Sequence, residues 1–438
     1  MSPRPGARPT SGADRWFEIK SQVHLKLLNT LSPEQLKSLN KEGIRAQIGI
    51  IVERIVEDAG IPMTLAERDR VTEEVQDEVF GLGPLEQLLK DNTISDIMVN
   101  GFDNVYVERA GRLVETNVRF KDQAHLRMII DRIVSNVGRR IDDSSPIVDA
   151  RLDDGSRVCA VIPPLSLIGP VMSIRRYGKK LLTTEELLKN QTYSHGILDF
   201  LSGCVEARLN IVIAGGSGSG KTTMLNTLSR FIPEDERVVT IEDTAELQLQ
   251  QPHVVRLETR PSNIEGAGAV TARDLVINTL RMRPDRIIVG ESRGPEALDM
   301  LQAMNTGHDG SMTTIHANTP RDAFSRLETM VMMASQNVPD RVIRQQLASA
   351  IHLVVQCSRL SDGTRKITAI AEVVGVNGDQ VEMQDLFEFE RAGISPRGKV
   401  VGRFRGLGNQ PRVLDRLKGY GIHLSRSIFD EVVEVQDK

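Results

Sequence analysis

The chain has 438 residues, with 55 Lys and Arg against 59 Asp and Glu, a formal net charge of -4, 40% hydrophobic residues and 26% charged ones. This balance excludes wholesale disorder, suits two or three domains that each bury a core, and lacks the basic excess of a nucleic-acid coat. Cys159, Cys204 and Cys357 are too few and too scattered for a disulfide framework or a cysteine zinc site, and with 4% aromatic residues there is no stacking platform for single strands.

The expected setting is a reducing cytoplasm. The most apolar stretch, Val158 to Ile174, is interrupted by Pro163, Pro164 and Pro170, so no membrane span is expected. The start has no apolar core of signal-peptide type, so export is not expected either.

Residues 1–30 are read as a disordered tail, proline-rich at Pro3, Pro5 and Pro9. Residues 31–80 read as a helical module. Ser32 with Gln35 has the spacing of a capping box, and Ile44, Ile48, Ile51, Ile55 and Val56 recur at helical spacing. Gly60-Ile61-Pro62 breaks the run, and a second helix from Thr64 places Val71, Val75, Val79 and Phe80 on one side. Residues 81–180 read as an α+β domain. Its strands are predicted at 96–100, at 104–108 and onward to about Phe120, and on both sides of the turn Asp153-Asp154-Gly155, with a helix over 123–137. Gly178-Lys179-Lys180 reads as a linker, and Thr183 with Glu186 restarts helix.

Residues 181–438 alternate helix with short apolar strands at 211–214, 238–241, 254–257, 287–289 and 312–315. Such runs predict a parallel sheet covered on both faces. The segments 353–355, 367–374 and 381–389, with a turn at Asp362-Gly363, predict antiparallel hairpins at the end. The expected class is thus α/β, a parallel-sheet domain preceded by an α+β domain and a helical module.

The strongest motif is Gly215-Gly216-Ser217-Gly218-Ser219-Gly220-Lys221-Thr222-Thr223. It fits GxxxxGK[ST], follows a strand and opens a helix, the context a phosphate loop requires. Glycines let the backbone N–H groups curl inward, and the helix N-terminus adds positive potential, so the loop can hold the α- and β-phosphates of ATP. Lys221 would reach the β- and γ-phosphates, and the Thr222 hydroxyl would bind Mg²⁺. Strand, helix, lysine and threonine together set aside a mere glycine-rich turn. Glu242, beside Asp243, and Glu291 follow predicted strands, on the rim where open α/β sheets bind ligands. Either could orient a water. Asp243 could be structural, and Glu291 could meet the metal through water. His316 follows a fourth strand, where it could sense the γ-phosphate. His308 reads as a charge at a helix C-terminus. Arg139, Arg140, Arg157, Arg175 and Arg176 precede the loop, and one or two of them could serve a charged transition state from a neighbouring domain or subunit.

The phosphate loop, Thr240-Ile241-Glu242-Asp243-Thr244-Ala245-Glu246-Leu247, the run from Arg283 to Gly294 and the stretch from His308 to His316 resemble the Walker A, Asp box, Walker B and His box of secretion superfamily ATPases. Phe80-Gly81-Leu82-Gly83-Pro84-Leu85, Ile94 to Gly101 and Pro411 to Ser425 resemble, within that group, the tight-adherence (Flp) pilus assembly ATPases. The resemblance implies a RecA-like ATPase domain behind a sensor-like domain, with nucleotide between them. It implies a homo-hexameric ring in the cytoplasm, peripheral at the inner membrane on a pilus platform protein, where ATP hydrolysis moves one domain against the other. It assigns Glu291 the Walker B role and a share in the metal site, Glu242 the Asp-box role and His316 the second His-box histidine, with Arg157 and Arg140 as candidate arginines. The chain lacks the four-cysteine zinc insert of many extension motors, which favours the tight-adherence and type IV secretion branches.

Competing readings are a type IV secretion traffic ATPase, a RecA-like motor on nucleic acid, a guanine-nucleotide switch, a small-molecule kinase and a binding protein without turnover. No [NT]KxD sequence supports the switch, no acceptor pocket is recognisable for the kinase, and no nucleic-acid partner is expected.

Overall fold

The computed structural model describes residues 41–58, 64–109, 111–176, 182–262, 267–335, 338–378 and 380–437. The tail, the Ser32 helix start, the Gly60 break and the linker at 178–180 lie outside them. The chain divides between Tyr177 and Gly178 into two compact units. Among the described residues no helix is long and apolar enough to cross a membrane.

The first unit opens with α1 (Lys41–Asp58) and α2 (Leu65–Phe80). Thr64 caps α2 in a full capping box: its hydroxyl accepts from Glu67 N–H, and the Glu67 carboxylate accepts from Thr64 N–H at 2.7 Å. The two helices pack together, burying Ile48, Val52 and Val56 of α1 with Val71 and Val75 of α2. The expected apolar side is shorter than the sequence suggests, since Val79 is half-buried and Phe80 is exposed. After α3 (Glu86–Lys90) come β1 (Ile94–Asn100), β2 (Val105–Arg109), β3 (Arg112–Glu115), α4 (Gln123–Asn136), β4 (Ile147–Arg151), β5 (Arg157–Val161) and β6 (Val171–Arg175). The strands form one antiparallel sheet in the order β3-β2-β1-β6-β5-β4. Strand β3 stops at Glu115 rather than near Phe120, because Phe120 N–H turns to the carbonyl of Phe102 instead of a ladder partner. The helix packs Leu126, Ile129, Ile130 and Ile133 on one sheet face, against Ile97, Val107, Val158, Met172 and Ile174.

The second unit begins with α5 (Thr184–Lys189), capped by Thr183 and Glu186, and α6 (His195–Glu206). Its elements then follow as β7 (Ile211–Gly215), α7 (Lys221–Ser229), β8 (Val238–Glu242), β9 (Val254–Glu258), α8 (Ala272–Thr279), β10 (Arg286–Val289), α9 (Glu296–Asn305) and β11 (Met312–Ile315). It closes with α10 (Pro320–Ala334), α11 (Asp340–Ala350), β12 (Leu353–Arg359), β13 (Arg365–Asn377), β14 (Gln380–Ile394), β15 (Val400–Gly406), α12 (Leu414–Gly419) and β16 (Val432–Val435). One ten-stranded sheet runs β16-β15-β14-β13-β12-β7-β11-β10-β8-β9. The strands from β12 to β9 pair in parallel, and those from β12 outward to β16 are antiparallel.

Alternation decides which core each parallel strand feeds. Ile211, Ile213, Ile288, Leu353 and Val355 join one cluster with α6 and α7. Val212, Ala214, Ile287, Val289, Ile315 and Val354 join another with α9, α10 and α11. The sheet is buried on both faces, as its unbroken apolar strands predict. Its carboxyl rim therefore gathers the loops that carry the polar motif residues.

Candidate active site

The phosphate loop joins β7 to α7. Gly218 (φ 67°) and Gly220 (φ 97°) adopt the left-handed conformation that only glycine takes without strain. A Cβ on Gly215 would press on the Cys357 carbonyl and the Ser219 hydroxyl, so the strand end is closed to any side chain. No side chain caps α7. Its first amides, with the curl of the loop, form a concavity suited to an oxyanion. Lys221 is buried and donates from Nζ to the Gly216 carbonyl at 3.0 Å.

The sheet order sets the neighbours of this loop. Glu291 and Arg293 follow β10, His316 follows β11, and Glu242 ends β8 with Asp243 after it. His316 Nε2 lies 3.4 Å from Lys221 Nζ and 2.7 Å from Glu291 Oε1. The second contact is not aligned as a hydrogen bond, since Glu291 Oε1 has no such partner. One ring nitrogen cannot both accept from an ammonium and donate to a carboxylate. His316 is thus a wedge between the two, its pKa held below the ordinary range first by burial and then by Lys221 against the pull of Glu291.

Arg293 donates to Glu291 Oε2 from Nε at 2.9 Å and also from Nη2, while Nη1 reaches Asp243 Oδ2 at 3.3 Å. Glu242 is buried. Its Oε2 accepts from the backbone N–H groups of Glu246 and Leu247 at 2.7 and 2.9 Å, and its Oε1 has no hydrogen-bond partner. Burial raises its pKa despite those two donors. Beyond Glu242 stands Gly290, where a Cβ would come within 3.0 Å of Glu242 Cγ.

The loop, Lys221, Glu242, Glu291 and His316 are brought together at one rim. His308 N–H donates to the Ala303 carbonyl just past α9. Arg157 and Arg140 belong to the first unit. Arg157 lies directly opposite Arg175 on β6 and Arg151 on β4, a row of three arginines on the sheet face away from α4. Arg175 pairs with Asp96 at 3.2 Å, and Arg140 pairs with Asp142 at 3.0 Å. Arg139 donates to the Asp149 carbonyl, and Arg176 to the carbonyls of Leu89 and Asp91.

Three contributors were not foreseen. Arg365, on β13, donates from Nε to the Gly218 carbonyl at 2.8 Å, and Arg359, at the end of β12, flanks the same glycine. Gln356, buried on β12, donates to the carbonyl of Ala317, next to His316, at 3.1 Å. These residues lie more than 130 positions after the loop and belong to no local pattern; only the parallel pairing of β12 with β7 brings them there.

The chain matches the family model described as type II/IV secretion system protein over residues 78–389. It is 36% identical over 303 residues to a putative conjugal transfer protein of Mycobacterium tuberculosis, covering 68% of this chain and 86% of the relative. It is 32% identical to the type IV secretion system protein VirB11 of Bartonella quintana, covering 66% of this chain and 91% of the relative. Among solved structures, the VirB11 ATPase of Brucella suis in complex with sulphate aligns at 31% identity with a TM-score of 0.37, covering 68% of this chain and 95% of that one. The fold is the mixed α/β, RecA-like one with a preceding domain, and the chain belongs to the type II/IV secretion system protein family.

Proposed function

We propose that the chain is a Mg²⁺-dependent ATP hydrolase that drives a pilus or type IV secretion machine at the inner membrane as a homo-hexameric ring. The observation that carries this reading is the set of polar groups lined along one rim in sheet order: Asp243 after β8, Glu291 after β10, His316 after β11, Lys221 after β7.

The residues fit a nucleoside triphosphate and its metal. The glycine curl with an uncapped helix start suits phosphates, and Ser219 Oγ, Glu242 Oε1 and Glu291 Oε1 are buried oxygens without hydrogen-bond partners. Among the described residues no three His, Cys, Asp or Glu side chains cluster as a metal cage. Mg²⁺ takes one or two protein oxygens plus phosphates and water; Thr222 and Glu291 are the candidates. When bound, the metal supplies charge neutralisation to the transferring phosphoryl group.

The chain's own groups do the rest. The amides of Gly215 to Thr223 hold the phosphates, and Lys221 leaves the Gly216 carbonyl to neutralise the β- and γ-oxygens. Glu242 and Glu291 orient the attacking water, and Glu242, with its raised pKa, is suited to accept its proton. His316 stands between Glu291 and Lys221, where it would feel loss of the γ-phosphate. Arg157 and Arg140 are the candidate arginines to act from a neighbouring subunit.

The relatives with conjugal-transfer and VirB11 titles favour the type IV secretion branch over tight adherence. Phosphate release with Mg²⁺-ATP tests the chemistry. Lys221→Ala is expected to abolish it, and Glu291→Gln to bind nucleotide while turnover falls about 10²-fold or more. Full activity in Lys221→Ala would overturn the assignment. Stimulation by polynucleotide would point to a nucleic-acid motor instead.

A further inference from the structure

The rim network runs in strict sheet order. Thr259 Oγ1, just past β9, donates to Asp243 Oδ1 at 3.2 Å. Glu291 then meets His316, and His316 meets Lys221. The step between Asp243 and Glu291 joins two carboxylates on neighbouring strands, which repel each other unless a cation stands between them. Arg293 is that cation.

Its place is built rather than incidental. The backbone N–H groups of Arg293 and Gly294 both donate to Glu296 Oε1, at 2.6 and 2.8 Å. Glu296 is buried in the first turn of α9. The turn that carries Arg293 is therefore pinned from below, and the guanidinium reaches both carboxylates from a fixed base. Both of its bonds to Glu291 end on Oε2. Oε1 is left on the side of His316 and Lys221.

We propose that Arg293 is a positioning residue for hydrolysis: it ties Asp243 to Glu291 and fixes the Glu291 carboxylate so that Oε1 faces the phosphate loop. This rests on reading Glu291 as a water-orienting group. The side chains of Arg293 and Asp243 are 53% and 42% exposed. Solvent-exposed pairs contribute little to stability, so losing this one leaves the fold intact. It frees Glu291 to turn among its rotamers, and misplacing a reacting group by an ångström can cost about 10²-fold in rate.

The test uses the full chain with Mg²⁺-ATP, comparing wild type with Arg293→Ala, Arg293→Lys, Asp243→Asn and the Arg293→Ala/Asp243→Asn pair. For Arg293→Ala, kcat is expected to fall about 10²-fold with KM within about threefold. Its melting temperature and its Mg²⁺-free binding of a fluorescent ATP analogue stay at wild-type values. Arg293→Lys recovers about tenfold of the loss, since a lysine can bridge one carboxylate but not fork to two. The double variant is no worse than Arg293→Ala, as expected of one coupled unit. An Arg293→Ala chain with wild-type kcat overturns the proposal. So does one that loses activity only through KM or thermal stability, or that reaches half-maximal rate at lower Mg²⁺, which would make the arginine a competitor of the metal. A wild-type chain without turnover overturns the hydrolase reading and this inference with it; turnover in wild type with no effect at Arg293 overturns the inference alone.

Discussion

Gly310 shows how a single hydrogen can be a structural requirement. Its φ of 84° suits glycine alone, and a Cβ would lie 2.7 Å from Arg286 Nη1. That arginine cannot move aside. It is fully buried, holds Glu236 through two bonds at 2.5 and 2.9 Å, and donates to the Val205 carbonyl at 2.6 Å. Gly310→Ala is expected to cost about 3 kcal/mol or more, the sum of a disfavoured φ and a buried ion pair pushed apart. Chemical denaturation with a wild-type m-value would measure it, and a cost below about 1 kcal/mol would contradict the packing described. The places of Glu291, Glu242 and His316 at strand ends were legible at this scale because each follows a predicted strand. Arg293 also lies in the sequence motif, but its fork to Asp243 depends on β8 and β10 being neighbours in space.

At the scale of elements, helix starts were the most readable features. Thr64 with Glu67 and Thr183 with Glu186 carry the three-residue spacing, and both boxes form. At Thr183 the two arms measure 2.9 and 3.1 Å. Thr183→Ala is expected to destabilise the second unit by about 1 kcal/mol, lowering its melting temperature by roughly 2–4 °C, while Thr183→Ser stays near wild type. Equal melting of the Ala variant and wild type would show that α5 is held by packing alone. Strand ends were less legible. β3 reads as if it continued to Phe120, yet its ladder ends at Glu115 because Phe120 N–H finds the Phe102 carbonyl. An apolar residue after a strand looks the same in sequence whether its amide joins the sheet or a loop.

For the second unit as a whole, stability is linked to pH through His352. Its Nδ1 accepts from the Asn210 N–H at 3.0 Å, at the foot of β7, and Arg416 of α12 approaches its other nitrogen at 3.3 Å. Burial first, and Arg416 second, lower its pKa from 6.5 to about 4, with Asp309 opposing them. The folded-state value is depressed, so the unfolded chain takes up a proton before the folded one does. The contribution is therefore intact above 6.5 and lost as pH falls toward 4. From pH 7.5 to 5 this amounts to about 2 kcal/mol. Thermal melts at both values should show a smaller acid loss in His352→Gln than in wild type, and identical losses would refute the linkage.

The order of motifs along the chain determined the class of fold, the glycine-rich loop and the strand ends where the acids stand. A strand, a glycine curl and a helix start are adjacent in sequence, and their geometry is local. The continuous apolar strands likewise announced a sheet buried on both faces, since an interior strand has no face left for water. Tertiary structure alone decided strand order. With it came the close approach of Lys221, His316 and Glu291, the bridge of Arg293 to Asp243, and the arrival of Arg359, Arg365 and Gln356 beside the loop. Each of these joins residues from separate strands, and which strands become neighbours is fixed by how two helical layers cover one twisted sheet rather than by any local run of residues.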